Sequence, residues 1–264
     1  MQKTLLALSI LSFAAAASAA PDSQETPLHP IKDGRYTVTT GYRYSNLKSG
    51  DVKQNSNSFA LNGRADIPLA QQHAIRAELG YAHLSFDAKA NGVTLVDGGK
   101  IDTIDLYAGY LYSPSGFKQG GLRVGGGLGY SYSDSNAHRT APDIVDDDSS
   151  SLYLKAQVEY EQDLGGGWSI TPWGEAQVSL RDRTETKWSR AYPHVPNETH
   201  KGSSYNIGLG VDAQKQFTPN LALTFGPYYR YSHYKTHARD HAGYHFDSST
   251  SRSHSFGIRA GLRF

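Results

Sequence analysis

The sequence predicts an all-β protein, a transmembrane antiparallel up-and-down β-barrel of ten strands, and three observations predict it. First, residues 255–264 alternate: Phe256, Ile258, Ala260, Leu262 and Phe264 are apolar, whereas Ser255, Gly257, Arg259, Gly261 and Arg263 are not. Successive side chains of a strand point to opposite faces, so this segment is oily on one side and wettable on the other. Second, nine further segments repeat the pattern, each as long as the roughly 9–11 residues that a tilted strand needs to cross a bilayer. Third, the connections alternate short and long, as a barrel with both termini on one side requires.

The strands follow in order, each with its apolar face. Segment 35–45 carries Tyr36, Val38, Tyr42 and Tyr44, and 58–69 carries Phe59, Leu61, Ala65, Ile67 and Leu69. Segment 73–86 presents Ile75, Ala77, Leu79 and Tyr81, and 101–112 presents Ile104, Leu106, Ala108, Tyr110 and Tyr112. Next come 120–133 (Leu122, Val124, Leu128, Tyr130, Tyr132) and 150–162 (Leu152, Leu154, Ala156, Val158, Tyr160). Segments 167–181 (Trp168, Ile170, Ala176, Val178, Leu180) and 204–216 (Tyr205, Ile207, Leu209, Val211, Ala213) precede 220–233 (Leu221, Leu223, Phe225, Tyr229, Tyr231) and the closing 253–264. Short turns are expected near 70–72, 114–116, 164–166 and 218–219. Long loops are expected at 46–57, 87–100, 134–149, 182–203 and 234–252. A merged or split hairpin would give eight or twelve strands instead. Within a strand, Leu128→Arg on the lipid face is expected to cost more than Gly127→Ser on the opposite face, and the run Gly125-Gly126-Gly127 reads as close packing or curvature.

The N-terminal segment is of another kind. Lys3, the apolar run 5–11 and the small residues ending in Ala17-Ser18-Ala19 read as a signal peptide over residues 1–19, which implies export. Polar, Pro-containing residues 20–34 read as a periplasmic arm, which leaves 35–264 as the barrel domain. Composition excludes several classes. With 38% apolar residues and a mean hydropathy of −0.54, the chain holds no run able to cross a membrane as a helix. Cysteine is absent, so disulfides and thiolate metal sites are excluded. A net charge of +1 gives no sign of a nucleic-acid partner.

The second face of each strand points into the lumen. It carries Arg35, Arg43, Arg64, Arg76, Arg123, Lys155, Arg181, Arg230, Arg259 and Arg263, with Asp66, Glu78, Asp105, Glu159, Glu161, Glu175 and Asp212 against them. A small barrel is about wide enough to be filled by side chains, and buried charges must pair or be hydrated. Two readings follow: a plug of ion pairs, or a narrow pore favouring small anionic solutes because basic residues are in excess.

The loops hold the remaining candidates. His233, His237, His241 and His245 recur every four residues near Asp240 and Asp247, and imidazole is a ligand for zinc or copper. The alternative is a polar surface loop. Asp143, Asp146, Asp147 and Asp148 form an acidic tip, read as solvated or as holding a hard cation. Arg181, Arg183, Lys187, Arg190 and Lys201, interleaved with Trp188 and Tyr192, suit contact with anionic lipid head groups. No residue set implies a cofactor.

With the signal peptide, the alternating strands and the terminal Arg263-Phe264 in view, the chain resembles the small bacterial outer-membrane barrels grouped as opacity, attachment and porin-like proteins. The resemblance implies insertion into the cell outer membrane by its assembly machinery, with Phe264 as the assembly signal. It also implies contact with outer-membrane lipids and lipopolysaccharide, and a role in surface interaction or adhesion through five long loops, or else as a narrow channel. Omptin proteases share the ten-strand architecture. Their rim Asp pair and Asp-x-His set is not matched here, because Asp97 has no acidic neighbour and His194 and His200 follow no Asp at the needed spacing. The chain is therefore expected not to be an enzyme.

Overall fold

A computed structural model describes residues 34–117, 120–136, 146–187, 196–241 and 244–264; the expected signal peptide and nearly all of the expected arm lie outside them. Ten strands close into one antiparallel barrel. They are β1 (Arg35–Ser49), β2 (Val52–Ala70), β3 (His73–Ala90), β4 (Val93–Tyr112), β5 (Gly121–Ser135), β6 (Asp146–Gly165), β7 (Trp168–Lys187), β8 (Glu198–Thr218), β9 (Leu221–Thr236) and β12 (Thr250–Arg263). Two short strands, β10 (Arg239–His241) and β11 (Tyr244–Phe246), form a separate hairpin between β9 and β12. Each barrel strand pairs with the barrel strands before and after it, and β12 returns to β1 so that the barrel itself has no unpaired edge.

Phe264 extends that seam by one more pair. Phe264 and Tyr36 exchange both backbone hydrogen bonds, at 2.8 and 2.9 Å, and their rings stack with centroids 6.1 Å apart.

The expected alternation holds through the membrane. Leu61, Leu79, Leu128, Leu154, Val178, Leu209 and Ile258 lie exposed on the outer wall, the surface that lipid covers in the membrane. Aromatic rings bound the band. Tyr42 packs on Phe59 and Tyr229 on Phe256 at one end, and Tyr36, Tyr110, Tyr112 and Trp168 mark the other, as in the aromatic girdles of outer-membrane barrels.

Three expectations change. Segments 46–57 and 87–100 are not long loops. β1 and β2 continue pairing to Ser49 and Val52 around a two-residue turn at Gly50-Asp51, and β3 and β4 continue to Ala90 and Val93 around Asn91-Gly92. Asn91 and Gly92 have φ of 48° and 84°, the left-handed pair that a type I′ hairpin turn demands. The β3–β4 hairpin has an apolar inner side: Phe86, Ala88 and Val96 are buried together against Val52 of β2, Leu84 and Ile101.

The second change concerns Arg181, expected in the lumen. A β-bulge in β7 pairs Leu152 with Arg181 but Tyr153 with Ser179, so one residue is extra. Beyond it the facing reverses. Arg181 lies exposed on the outer wall, and Asp182 is turned inward and buried.

The third concerns Gly127. A Cβ there would overlap the carbonyl oxygen of Ala108 and the Cα of Gly109 on β4, so Gly127→Ser is not the mild substitution expected. The lumen-facing glycines of β5 make room in this way. A Cβ on Gly129 would strike the ring of Tyr153.

Candidate functional site

The lumen is the most constrained region. At its periplasmic end the β4–β5 turn folds Phe117 back into the barrel mouth, where it is buried against Ala74 and Leu111. Its N–H donates to the Gln71 carbonyl at 3.0 Å, its own carbonyl accepts from Arg35, and the Arg123 guanidinium lies 5.8 Å from its ring centre. Arg35, Arg123 and Arg263 converge on Glu161.

Above this lies a second knot. Arg76 is 1% exposed and donates two bonds to Asp66, at 2.6 and 2.8 Å, one to Gln157 at 3.0 Å, and others to Glu159. Arg64 reaches Glu159 at 3.2 Å. Higher again, Lys155 pairs with Glu78 while sitting 3.7 Å from the centre of the Tyr107 ring, and Tyr153 donates to Asp105 at 2.8 Å. Arg230 pairs with Glu175 and Arg259 with Asp212, both at 2.5 Å.

Arg43 differs from these. Its Nε donates to Ser58 at 3.2 Å, and among the described residues it has no carboxylate partner. Between the knots remains a cavity of about 410 Å³ lined by Arg43, Arg64, Arg76, Arg123, Arg230, Arg259, Glu78, Glu159 and Glu175. Stacked cross-lumen pairs of this kind satisfy charges that would otherwise be costly to desolvate.

The extracellular end is assembled from strand extensions. The β10–β11 hairpin leans on the start of β8: Arg239 donates to Glu198 at 2.8 Å and lies over the Phe246 ring, and a ring nitrogen of His241 is 2.9 Å from the Pro196 carbonyl.

The four histidines have different surroundings, with His241 and His245 on the paired strands of the β10–β11 hairpin. His233 is on the outer wall with its ring stacked on Tyr205 at 4.8 Å, His237 is exposed beyond β9, and His245 bonds Asp240 at 2.6 Å. No group of three or more His, Asp or Glu side chains positioned to hold a metal occurs among the described residues. Of the acidic tip, Asp143 lies outside the described residues. Asp146 is buried, burial raises the carboxyl pKa of Asp147, and Asp148 pairs with Lys187 at 2.6 Å. Arg190, Trp188, Tyr192 and His194 also lie outside the described residues.

Hydrogen bonding to Asp240, with the charge of Asp240 and Asp247 added, raises the pKa of His245 above its ordinary 6.5. A raised histidine pKa places the stabilising contact below the ordinary value and removes it as pH climbs through the raised one. The β10–β11 hairpin should therefore show slower amide exchange at pH 6 than at pH 8, after correction for intrinsic rates. Equal protection at both values would exclude the contact.

A closed ten-stranded antiparallel barrel with a lipid-facing apolar wall and a charged, ion-paired interior is an integral protein of the bacterial outer membrane. The chain belongs to the family of the outer membrane protein OpcA, whose family model matches residues 31–264. No curated protein matches the sequence. Among solved structures, the outer membrane protease OmpT of Escherichia coli is similar at 10% identity and a TM-score of 0.53, over 92% of this chain and 99% of that one. At this identity the likeness shows the fold alone. The translocator domain of the autotransporter NalP from Neisseria meningitidis is similar at 12% identity and a TM-score of 0.45, over 98% and 97%. The attachment invasion locus protein Ail of Yersinia pestis, in complex with the heparin analogue sucrose octasulfate, gives 12%, 0.33, 88% and 99%.

Proposed function

We propose that the protein is a non-enzymatic surface-recognition protein whose barrel is an anchor and whose extracellular hairpins and loops bind ligands outside the cell, as an adhesin does. The observation that carries this reading is the contrast between the two ends. Phe117 and three arginines occupy the periplasmic mouth, whereas the strands at the other end rise past the aromatic girdle as paired hairpins with an apolar core of their own. Hairpins hydrogen-bonded to their tips present side chains at fixed positions, which lowers the ordering cost of binding.

The test has two arms. Refolded protein in a planar bilayer should conduct little or not at all. Cells displaying the protein should adhere to host-cell layers, and cutting back the hairpin ends within 46–57 and 87–100, with the strands rejoined in register, should reduce adherence while leaving heat-resistant folding intact. A large, steady anion-selective conductance would instead favour the narrow-channel reading, to which the basic excess around the 410 Å³ cavity lends support.

A further inference from the structure

The strand register lines up four cations on the outer wall. Lys89 of β3 is directly opposite Lys53 of β2, Lys53 is opposite Lys48 of β1, and Lys48 is opposite Arg252 of β12. All four are exposed on the same face as the lipid-contacting residues of their strands, and the row spans about 14 Å at the usual ~4.8 Å strand spacing. Among the described residues none has an ion-pair partner. Like charges directly opposite each other across strands are destabilising, so a row of four calls for a counter-charge.

The far side of the barrel shows a row of like charges to which the protein supplies partners of its own. Asp102, Asp134, Asp148 and Glu185 are likewise opposite one another across β4 to β7. There Tyr81 and His83 bond Asp102 at 2.6 and 2.8 Å, Tyr132 bonds Asp148 at 3.1 Å, and Lys187 lies 2.6 and 3.8 Å from Asp148 and Asp134. The acidic row is hydrogen-bonded by Tyr81, His83 and Tyr132 and partly neutralised by Lys187, whereas the basic row has no such partner among the described residues.

We propose that Lys89, Lys53, Lys48 and Arg252 form a binding row for the phosphate groups of the phosphorylated glycolipids in the outer leaflet. Position favours a lipid. The side chains leave the wall sideways, and Arg252 continues the lipid-facing line of Phe256 and His254, two outward positions beyond Phe256. Ammonium and guanidinium groups make charge-assisted bonds to phosphate oxygens, and Arg252 can do so through two N–H groups at once.

The experiment uses the full mature chain refolded into phosphatidylcholine vesicles with no additive, with lipopolysaccharide, with the same lipopolysaccharide stripped of its phosphates, or with inorganic phosphate. Unfolding temperature and the lipopolysaccharide retained on detergent extraction are read for the wild type and for the K48Q/K53Q/K89Q/R252Q variant. Phosphorylated lipopolysaccharide should raise the wild-type unfolding temperature, and dephosphorylated material and inorganic phosphate should not. The variant should fold normally in phosphatidylcholine alone, lose the rise, and retain lipopolysaccharide at least about tenfold less well. An undiminished rise in the variant, or an equal rise from dephosphorylated lipopolysaccharide or from inorganic phosphate, would overturn the proposal. So would retention of lipopolysaccharide unaffected by the four changes while a soluble sulfated glycan binds the wild type and not the variant. A second variant, K235Q, neutralises an exposed cation outside the row and should keep the full rise; its loss would also count against the row.

Discussion

Arg76→Met should destabilise the folded barrel by about 3–5 kcal/mol, the range for removing one partner from a buried, hydrogen-bonded ion cluster. Arg76 is the shared cation of Asp66 and Glu159, and both carboxylates are themselves buried. The substitution keeps most of the side-chain volume, so the loss falls on the two buried carboxylates, left with only the longer contacts to Arg64 and Arg123, rather than on packing. Arg43→Met supplies the comparison, since Arg43 bonds Ser58 and no described carboxylate, and it should cost far less. Reversible urea unfolding in detergent or short-chain lipid would measure both. Equal losses would mean that the network is hydrated rather than mutually dependent.

The second large effect is expected on β5, from adjacent residues and for opposite reasons. Leu128→Arg places a charge on the lipid face and should cost about 2–4 kcal/mol near the bilayer midplane. Gly127→Val should also prevent a stable barrel, because its side chain would run into the backbone of β4 at Ala108 and Gly109. The two can be separated. Detergent micelles, which tolerate an arginine at their edge better than a bilayer does, should rescue Leu128→Arg and leave Gly127→Val defective. A Gly127→Val protein as stable as wild type would show that β4 and β5 sit further apart than described.

Most of the membrane portion was legible because lipid imposes a strict period of two on every strand it touches. Tyr36 to Tyr44 and Phe256 to Phe264 announce their strands unaided. The pattern misled where the solvent changed. Above the membrane the outward face becomes polar and the inward face apolar, so in β3 the apolar residues pass from the odd positions of Ile75 to Tyr81 to Leu84, Phe86 and Ala88. That inversion reads as a strand ending when it marks a strand leaving the bilayer. Asn91-Gly92 was the overlooked signal, a dipeptide suited to a tight hairpin rather than a long loop. Arg181 was misplaced for a different reason. A bulge adds one residue without any special residue type to betray it, and only the pairing of Leu152 reveals it.

Parity alone assigns charges to the lumen, but it is silent about their partners. That Arg76 would gather Asp66 and Glu159, 10 and 83 residues away, depends on barrel stagger. The stopper residue Phe117 follows no strand pattern at all. The basic row was missed because Lys48, Lys53, Lys89 and Arg252 are scattered in the chain, and only register brings them side by side.

The turn at Gly50-Asp51 has a use in protein engineering. Because backbone pairing persists to Ser49 and Val52, a peptide spliced between these residues would be carried on a two-stranded stalk instead of a slack tether. Its ends would be held at hairpin separation, which suits guest sequences that are themselves hairpins and penalises those whose termini lie far apart. A live-cell display scaffold built on this barrel would therefore be selective for the shape of its cargo before any chemistry of the cargo came into play.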